Sequence, residues 1–148
     1  MTVLRLTKQF NFEMAHALEG YDGLCKNIHG HTYELFVTVI GSPISDSSSP
    51  KYGMLIDFKD LKSLIKERII NQFDHALVLS NKTSPTLLKE LKLQYERIVI
   101  TEYQPTSENL LTDFVDRIKN GLPNGVKLFS MKFRETVTSY VEWFADDN

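Results

Sequence analysis

A single cysteine, Cys25, stands in a chain of 148 residues, so no intrachain disulfide can form and no disulfide framework holds the fold together. Long apolar runs are missing as well. No stretch approaches the ~20 residues a membrane helix needs, and the opening MTVLRLTKQF lacks the apolar core of a secretory signal. The expectation is a cytoplasmic protein with no membrane partner. Charge of one sign is not in surplus either: 17 Lys and Arg against 19 Asp and Glu leave a net charge of -2, which removes the electrostatic case for nucleic acid as a partner. No segment repeats with a period of roughly 20 to 50 residues, and no linker is long enough to separate a pair of cores. A single domain over 1–148 is expected, able to bury about 70% of the surface its unfolded chain exposes. Histidine is scarce, with four in the chain, and where those four fall is informative.

From Leu4 to His16 the even positions read Leu, Leu, Lys, Phe, Phe, Met and His, which predicts a half-buried strand whose inward row ends on a histidine. A second strand is predicted from His29 to Val39, its inward row beginning with His29 and His31 and continuing through Tyr33 and Leu35. Gly41 to Gly53 reads as a polar loop closing a hairpin onto a short strand, Met54 to Phe58. With Asp57 as N-cap, Leu61, Leu64, Ile65, Ile69 and Phe73 recur at helical intervals and predict an amphipathic helix to about Asn71. Short strands at 76–79 and 97–101 flank a small helix, Pro85 to Leu93. A further helix, capped by Thr106 or Ser107, carries the stripe Leu110, Leu111, Phe114, Val115 and Ile118, and Gly121 and Pro123 stop it. The last strand runs from Val126 to about Trp143 with a bend near Thr136 to Ser139. It sets Phe129, Met131, Phe133, Glu135 and Val137 on one side, so a carboxylate falls in phase with an apolar row.

Residues i and i+2 of a strand share a face about 7 Å apart, so His29 and His31 can both bring a ring nitrogen to one ion at ~2.0–2.1 Å. His16, ending the neighbouring inward row, would complete a three-histidine zinc site with an open fourth position, the arrangement of a catalytic ion. Any one of these histidines alone reads as an ordinary core-edge residue; three in phase favour a metal. Cys25, separated by three residues from His29-Gly30-His31, admits three readings: a small buried hydrophobe, a zinc ligand, or a thiolate base or nucleophile favoured by the charge beside it. Asp74-His75 is either a helix-end pair or a carboxylate supporting an imidazole in proton transfer. Glu135 suits a structural salt bridge or the recognition of a flat ring that offers two adjacent N–H donors. Thr106 and Glu108 serve as a cap and a first-turn acid, or line a pocket.

Six motifs in one order carry a resemblance: F-x-F-x-x-A-H at Phe10 to His16, C-x-x-x-H-G-H at Cys25 to His31, G-x-x-x-D-F at Gly53 to Phe58, Asp74-His75, P-T-S-E-N-L at Pro105 to Leu110, and Glu135-Thr136. Over nearly the whole chain the sequence resembles the 6-pyruvoyltetrahydropterin synthases and the related 6-carboxytetrahydropterin synthases of queuosine biosynthesis. The resemblance implies an α+β tunnelling fold (T-fold), a four-stranded antiparallel sheet with two helices on one face. It further implies that trimers close into a barrel and stack as a homohexamer, a dimer of trimers, with active sites at subunit interfaces. It implies zinc on His16, His29 and His31, Cys25 as proton acceptor, Asp74 and His75 supporting it from an adjacent subunit, and Glu135 as the pterin anchor. Thr106 and Glu108 fall in the stretch that lines the pterin pocket. The implied substrate is 7,8-dihydroneopterin triphosphate, and the product with release of acetaldehyde and triphosphate is 6-carboxy-5,6,7,8-tetrahydropterin. Compact bacterial-looking members commonly serve queuosine synthesis, which favours that product by analogy. The chain departs from them by extra residues between Asp74-His75 and Pro105 and by the serine-rich loop after Ile40. A pyruvoyl-forming synthase is the alternative within the enzymes, and a non-catalytic zinc- or pterin-binding module is the alternative outside them.

Overall fold

The structure, a computed structural model, describes residues 1–148. Its elements follow in the order β1 (Leu4–His16), β2 (His29–Gly41), α1 (Phe58–Ile65), β3 (Ala76–Ser80), α2 (Pro85–Gln94), β4 (Ile98–Thr101), α3 (Ser107–Ile118), β5 (Lys127–Thr136) and β6 (Ser139–Phe144). Beyond Ile65, α1 continues through a π-helical turn, Lys66–Ile70, and closes on Asn71–Phe73, so it ends slightly later than the spacing suggests.

Six strands form one mixed sheet in the order β4-β3-β1-β2-β5-β6. This corrects the expectation of four antiparallel strands. The antiparallel portion, β1-β2-β5-β6, is there. A parallel pair extends it, because β3 docks on β1 at Met14 to His16 and β4 docks on β3. Parallel neighbours need a crossover of a dozen or more residues, and the segment carrying α2 supplies it. That helix lies where the sequence placed a small one, Pro85 to Leu93, and it buries none of its residues, so it adds no third covering helix. α1 and α3 alone cover the core face: their Leu61, Ile65, Ile69, Phe73, Leu110, Phe114 and Ile118 are fully buried.

The two long strands pair along their whole length, from Leu4 opposite Gly41 to His16 opposite His29. Their inward rows meet in an aromatic cluster in which the rings of Phe12, Tyr33 and Phe133 lie nearly parallel, with centroids 5.7, 4.7 and 6.0 Å apart, and Phe114 of α3 closes edge-on against Phe133. Two local expectations fail. Met54 to Phe58 is not a strand: Ile44 and the Gly53-Met54 pair share only two backbone hydrogen bonds, Gly53 turns the chain at φ 82°, and Phe58 already begins α1. Phe129 leaves the core row because the pairing slips there, Thr38 facing Ser130 and Val39 facing Leu128, so Leu128 is buried in its place.

Candidate metal centre and the cavity beside it

The antiparallel register sets His16 directly opposite His29, and the period of two returns His31 to the same face. The ring centroids are 4.6 Å apart for His16 and His29, 5.0 Å for His29 and His31, and 5.3 Å for His16 and His31. One ring nitrogen from each falls within 4.8 Å of the others.

Backbone carbonyls fix how two of these rings present themselves. Nδ1 of His16 lies 2.7 Å from the carbonyl of Pro105, and Nδ1 of His29 lies 2.7 Å from that of Asn27. A carbonyl only accepts, so each Nδ1 carries the proton and each Nε2 keeps its lone pair. Those two Nε2 atoms stand 3.1 Å apart, a repulsive pairing unless a cation lies between them. Nε2 of His31 is buried without a hydrogen bond, with Glu135 Oε1 3.5 Å away. Protons are poor occupants of this site: burial lowers the pKa of His16, and burial lowers that of His31 against the opposing pull of Glu135. Three imidazoles with converging ring nitrogens fit a divalent zinc ion, whose tetrahedral ligand nitrogens lie about 3.3 Å apart. Tyr33 sits beneath, its hydroxyl 3.5 Å from His16 Nε2. Burial first, and Glu135 second, hold that phenol protonated well above its usual range.

A cavity of about 370 Å³ opens beside His16, and its lining includes Cys25, Thr106, Ser107, Glu108 and Glu135. Cys25 lies in the 3₁₀ turn Leu24–Lys26, exposed, and outside the nitrogen cluster. Its turn is tied back by Leu18 N–H donating to the Cys25 carbonyl at 3.0 Å. The side chain of Gln104 bonds both backbone groups of Glu19, at 3.1 and 2.8 Å, and so joins this loop to the start of α3. Of the two cap candidates Thr106 is the N-cap, accepting from Asn109 N–H at 3.2 Å. That leaves the Ser107 hydroxyl free, and it donates to Glu135 Oε2 at 2.5 Å. Sequence reasoning missed this contact. The only hint was two adjacent hydroxyl residues at a helix start that needs one cap.

Asp74 and His75 are placed elsewhere. His75 adopts φ 62° just after α1, where its Nδ1 lies 2.9 Å from Asp74 Oδ1 and its N–H donates to the Glu13 carbonyl. The side chain is 71% exposed and faces a separate groove of about 830 Å³ whose lining includes His31, Arg97 and Tyr95. Within one chain, therefore, His75 and Cys25 do not share a cavity.

Residues 5–146 match the family model described as 6-pyruvoyl tetrahydropterin synthase. The 6-carboxy-5,6,7,8-tetrahydropterin synthase of Haemophilus influenzae is 33% identical over 143 residues, covering 95% of this chain and 99% of the relative. A protein of the same name from Rickettsia felis is 30% identical over 147 residues, with the same coverage. Among solved structures, an uncharacterized protein from Wolinella succinogenes superposes with a TM-score of 0.78 at 21% identity, covering 98% of this chain and 99% of the other. The 6-pyruvoyl tetrahydropterin synthase of Caenorhabditis elegans gives a TM-score of 0.62 at 20% identity, covering 98% and 97%. At those identities the superpositions establish the fold.

Proposed function

Because the chain belongs to the 6-pyruvoyl tetrahydropterin synthase family, we propose that it is a zinc-dependent 6-carboxy-5,6,7,8-tetrahydropterin synthase serving the synthesis of queuosine-type 7-deazapurines. It would convert 7,8-dihydroneopterin triphosphate and release acetaldehyde and triphosphate. The observation that carries this reading is one cavity that collects a histidine of the candidate metal centre, the only thiol and a half-buried carboxylate: His16, Cys25 and Glu135. The relatives at 30% identity and above bear the name of the carboxy-forming enzyme, which supports that product over the pyruvoyl one.

His16, His29 and His31 would hold the zinc ion. When bound, zinc supplies a divalent charge that lowers the cost of removing protons from the substrate's side-chain hydroxyls and the carbon beside them. Glu135 receives two parallel hydrogen bonds from the amino and ring N–H groups of the pterin and so orients the side chain. Thr106 and Glu108 wall the same cavity. Cys25, as thiolate, accepts the proton from the side-chain carbon. The Asp74 carboxylate fixes the ring of His75, and this pair serves the Cys25 cavity of a neighbouring subunit, in keeping with its exposure and its absence from the lining of that cavity in its own chain. The proposed assembly is the homohexamer of two stacked trimers.

The test is product analysis by mass spectrometry on zinc-loaded protein. 6-Carboxytetrahydropterin with acetaldehyde and triphosphate is expected. A pyruvoyl product would reassign the reaction, and failure to turn over dihydroneopterin triphosphate or a side-chain analogue would end the reading.

A further inference from the structure

We propose that Ser107 is the positioning residue for Glu135, and that its hydroxyl sets the preference of the site for a ring offering two adjacent N–H donors. The inference rests on the reading of Glu135 as the ring-recognising carboxylate.

Three observations carry it. First, the backbone pairing leaves Glu135 without an opposite number: between β5 and β6 the register passes from Arg134 opposite Tyr140 to Thr136 opposite Ser139, and Glu135 is the extra residue. A flexible side chain on a bulge is not aimed by its sheet. Second, the hydrogen bond that aims it comes from the Ser107 hydroxyl, 2.5 Å from Oε2 and half-buried in the first turn of α3. That helix is itself anchored by Leu110, Leu111 and Phe114, and its N-cap duty is already discharged by Thr106. Third, the other carboxylate oxygen has no hydrogen bond of its own: its neighbour His31 Nε2, 3.5 Å away, is unbonded, and His31 belongs to the candidate metal centre, so it cannot take over the aiming in the loaded protein. A carboxylate has about four lone-pair sites. Ser107 occupies one of them and leaves each oxygen a free site for a bidentate partner. Without that hydroxyl no side chain on α3 fixes the carboxylate of the bulged residue, and Glu135 can turn and present one oxygen instead of two.

The measurement is equilibrium binding of a pterin and of its 2-desamino analogue to zinc-loaded protein, together with steady-state kinetics, for Ser107→Ala and Ser107→Thr. Ser107→Ala is expected to raise KM about tenfold or more while kcat stays within about threefold, and to shrink the preference for the amino-bearing ring by a similar factor. Ser107→Thr, which keeps the hydroxyl, is expected to restore both. An unchanged preference and KM in Ser107→Ala, or a threonine variant that behaves like alanine, overturns the proposal. So does a Ser107→Ala protein that no longer folds, because the hydroxyl would then be structural. If the unaltered protein binds both rings equally, the reading of Glu135 fails and this inference falls with it. If it discriminates and Ser107→Ala discriminates as well, only the inference falls.

Discussion

At the scale of single residues the centre depends on lone pairs held ready by two carbonyls, one local and one distant. Pro105 is 89 positions from the His16 ring it orients, so no local pattern could reveal that contact. The convergence of His16, His29 and His31 was legible, because a period of two in both strands put them on one face. The hydrogen bond between Ser107 and Glu135 was not, since it depends on which neighbouring hydroxyl takes the cap. His16→Ala is expected to abolish tight zinc binding, measured by chelator competition. Cys25→Ala is expected to retain the ion and lose turnover; if zinc is lost too, the thiol is a ligand and the centre is a closed structural one. The pH dependence follows from the lowered pKa values of His16 and His31. Below the ordinary 6.5 the unfolded chain takes up protons that the folded one refuses, so stability is fully present above that value and is lost as pH falls toward the folded values. The thermal midpoint of metal-free protein should fall between about pH 7 and pH 5, and a flat profile would contradict the assignment.

At the scale of elements, α1 and α3 were readable from their apolar stripes, and Asp57 caps α1 as expected, accepting from Lys59 N–H at 2.8 Å. What periodicity could not give was pairing. It had no means of showing that 76–80 and 98–101 run parallel, or that a bulge would exchange Phe129 for Leu128. The two covering helices are clasped by Arg117, which bonds Asp113 through two nitrogens at 2.9 and 3.0 Å, the Arg68 carbonyl at 3.2 Å and Gln72 at 2.6 Å. Arg68 returns a bond to the Arg117 carbonyl at 2.8 Å from the π-helical turn. Arg117→Ala is expected to cost about 1–3 kcal/mol, because the half-buried Asp113 carboxylate loses its charged partner. Urea denaturation measures it, and a change within experimental error would show the clasp to be idle. Phe133→Ala, which removes the ring stacked on Tyr33, is expected to cost about 3–5 kcal/mol by the same assay.

At the scale of the whole molecule the sheet keeps two open edges, β4 and β6, and the groove at His75 shares no lining residue with the Cys25 cavity. If the proposed assembly brings His75 of one subunit to Cys25 of another, inactive Cys25→Ala and inactive His75→Ala proteins should regain some of their activity when dissociated together and reassembled. Continued inactivity in mixed oligomers would place both groups on the same chain's reaction. The β1-β2 hairpin adds a temporal consequence. All three imidazoles ride on strands that end at Gly41, so the emerging polypeptide can gather them through contacts close in sequence while most of the chain is still unmade. An ion captured that early would act as a staple during synthesis, and the carbonyl of Pro105 would arrive afterwards to lock its grip.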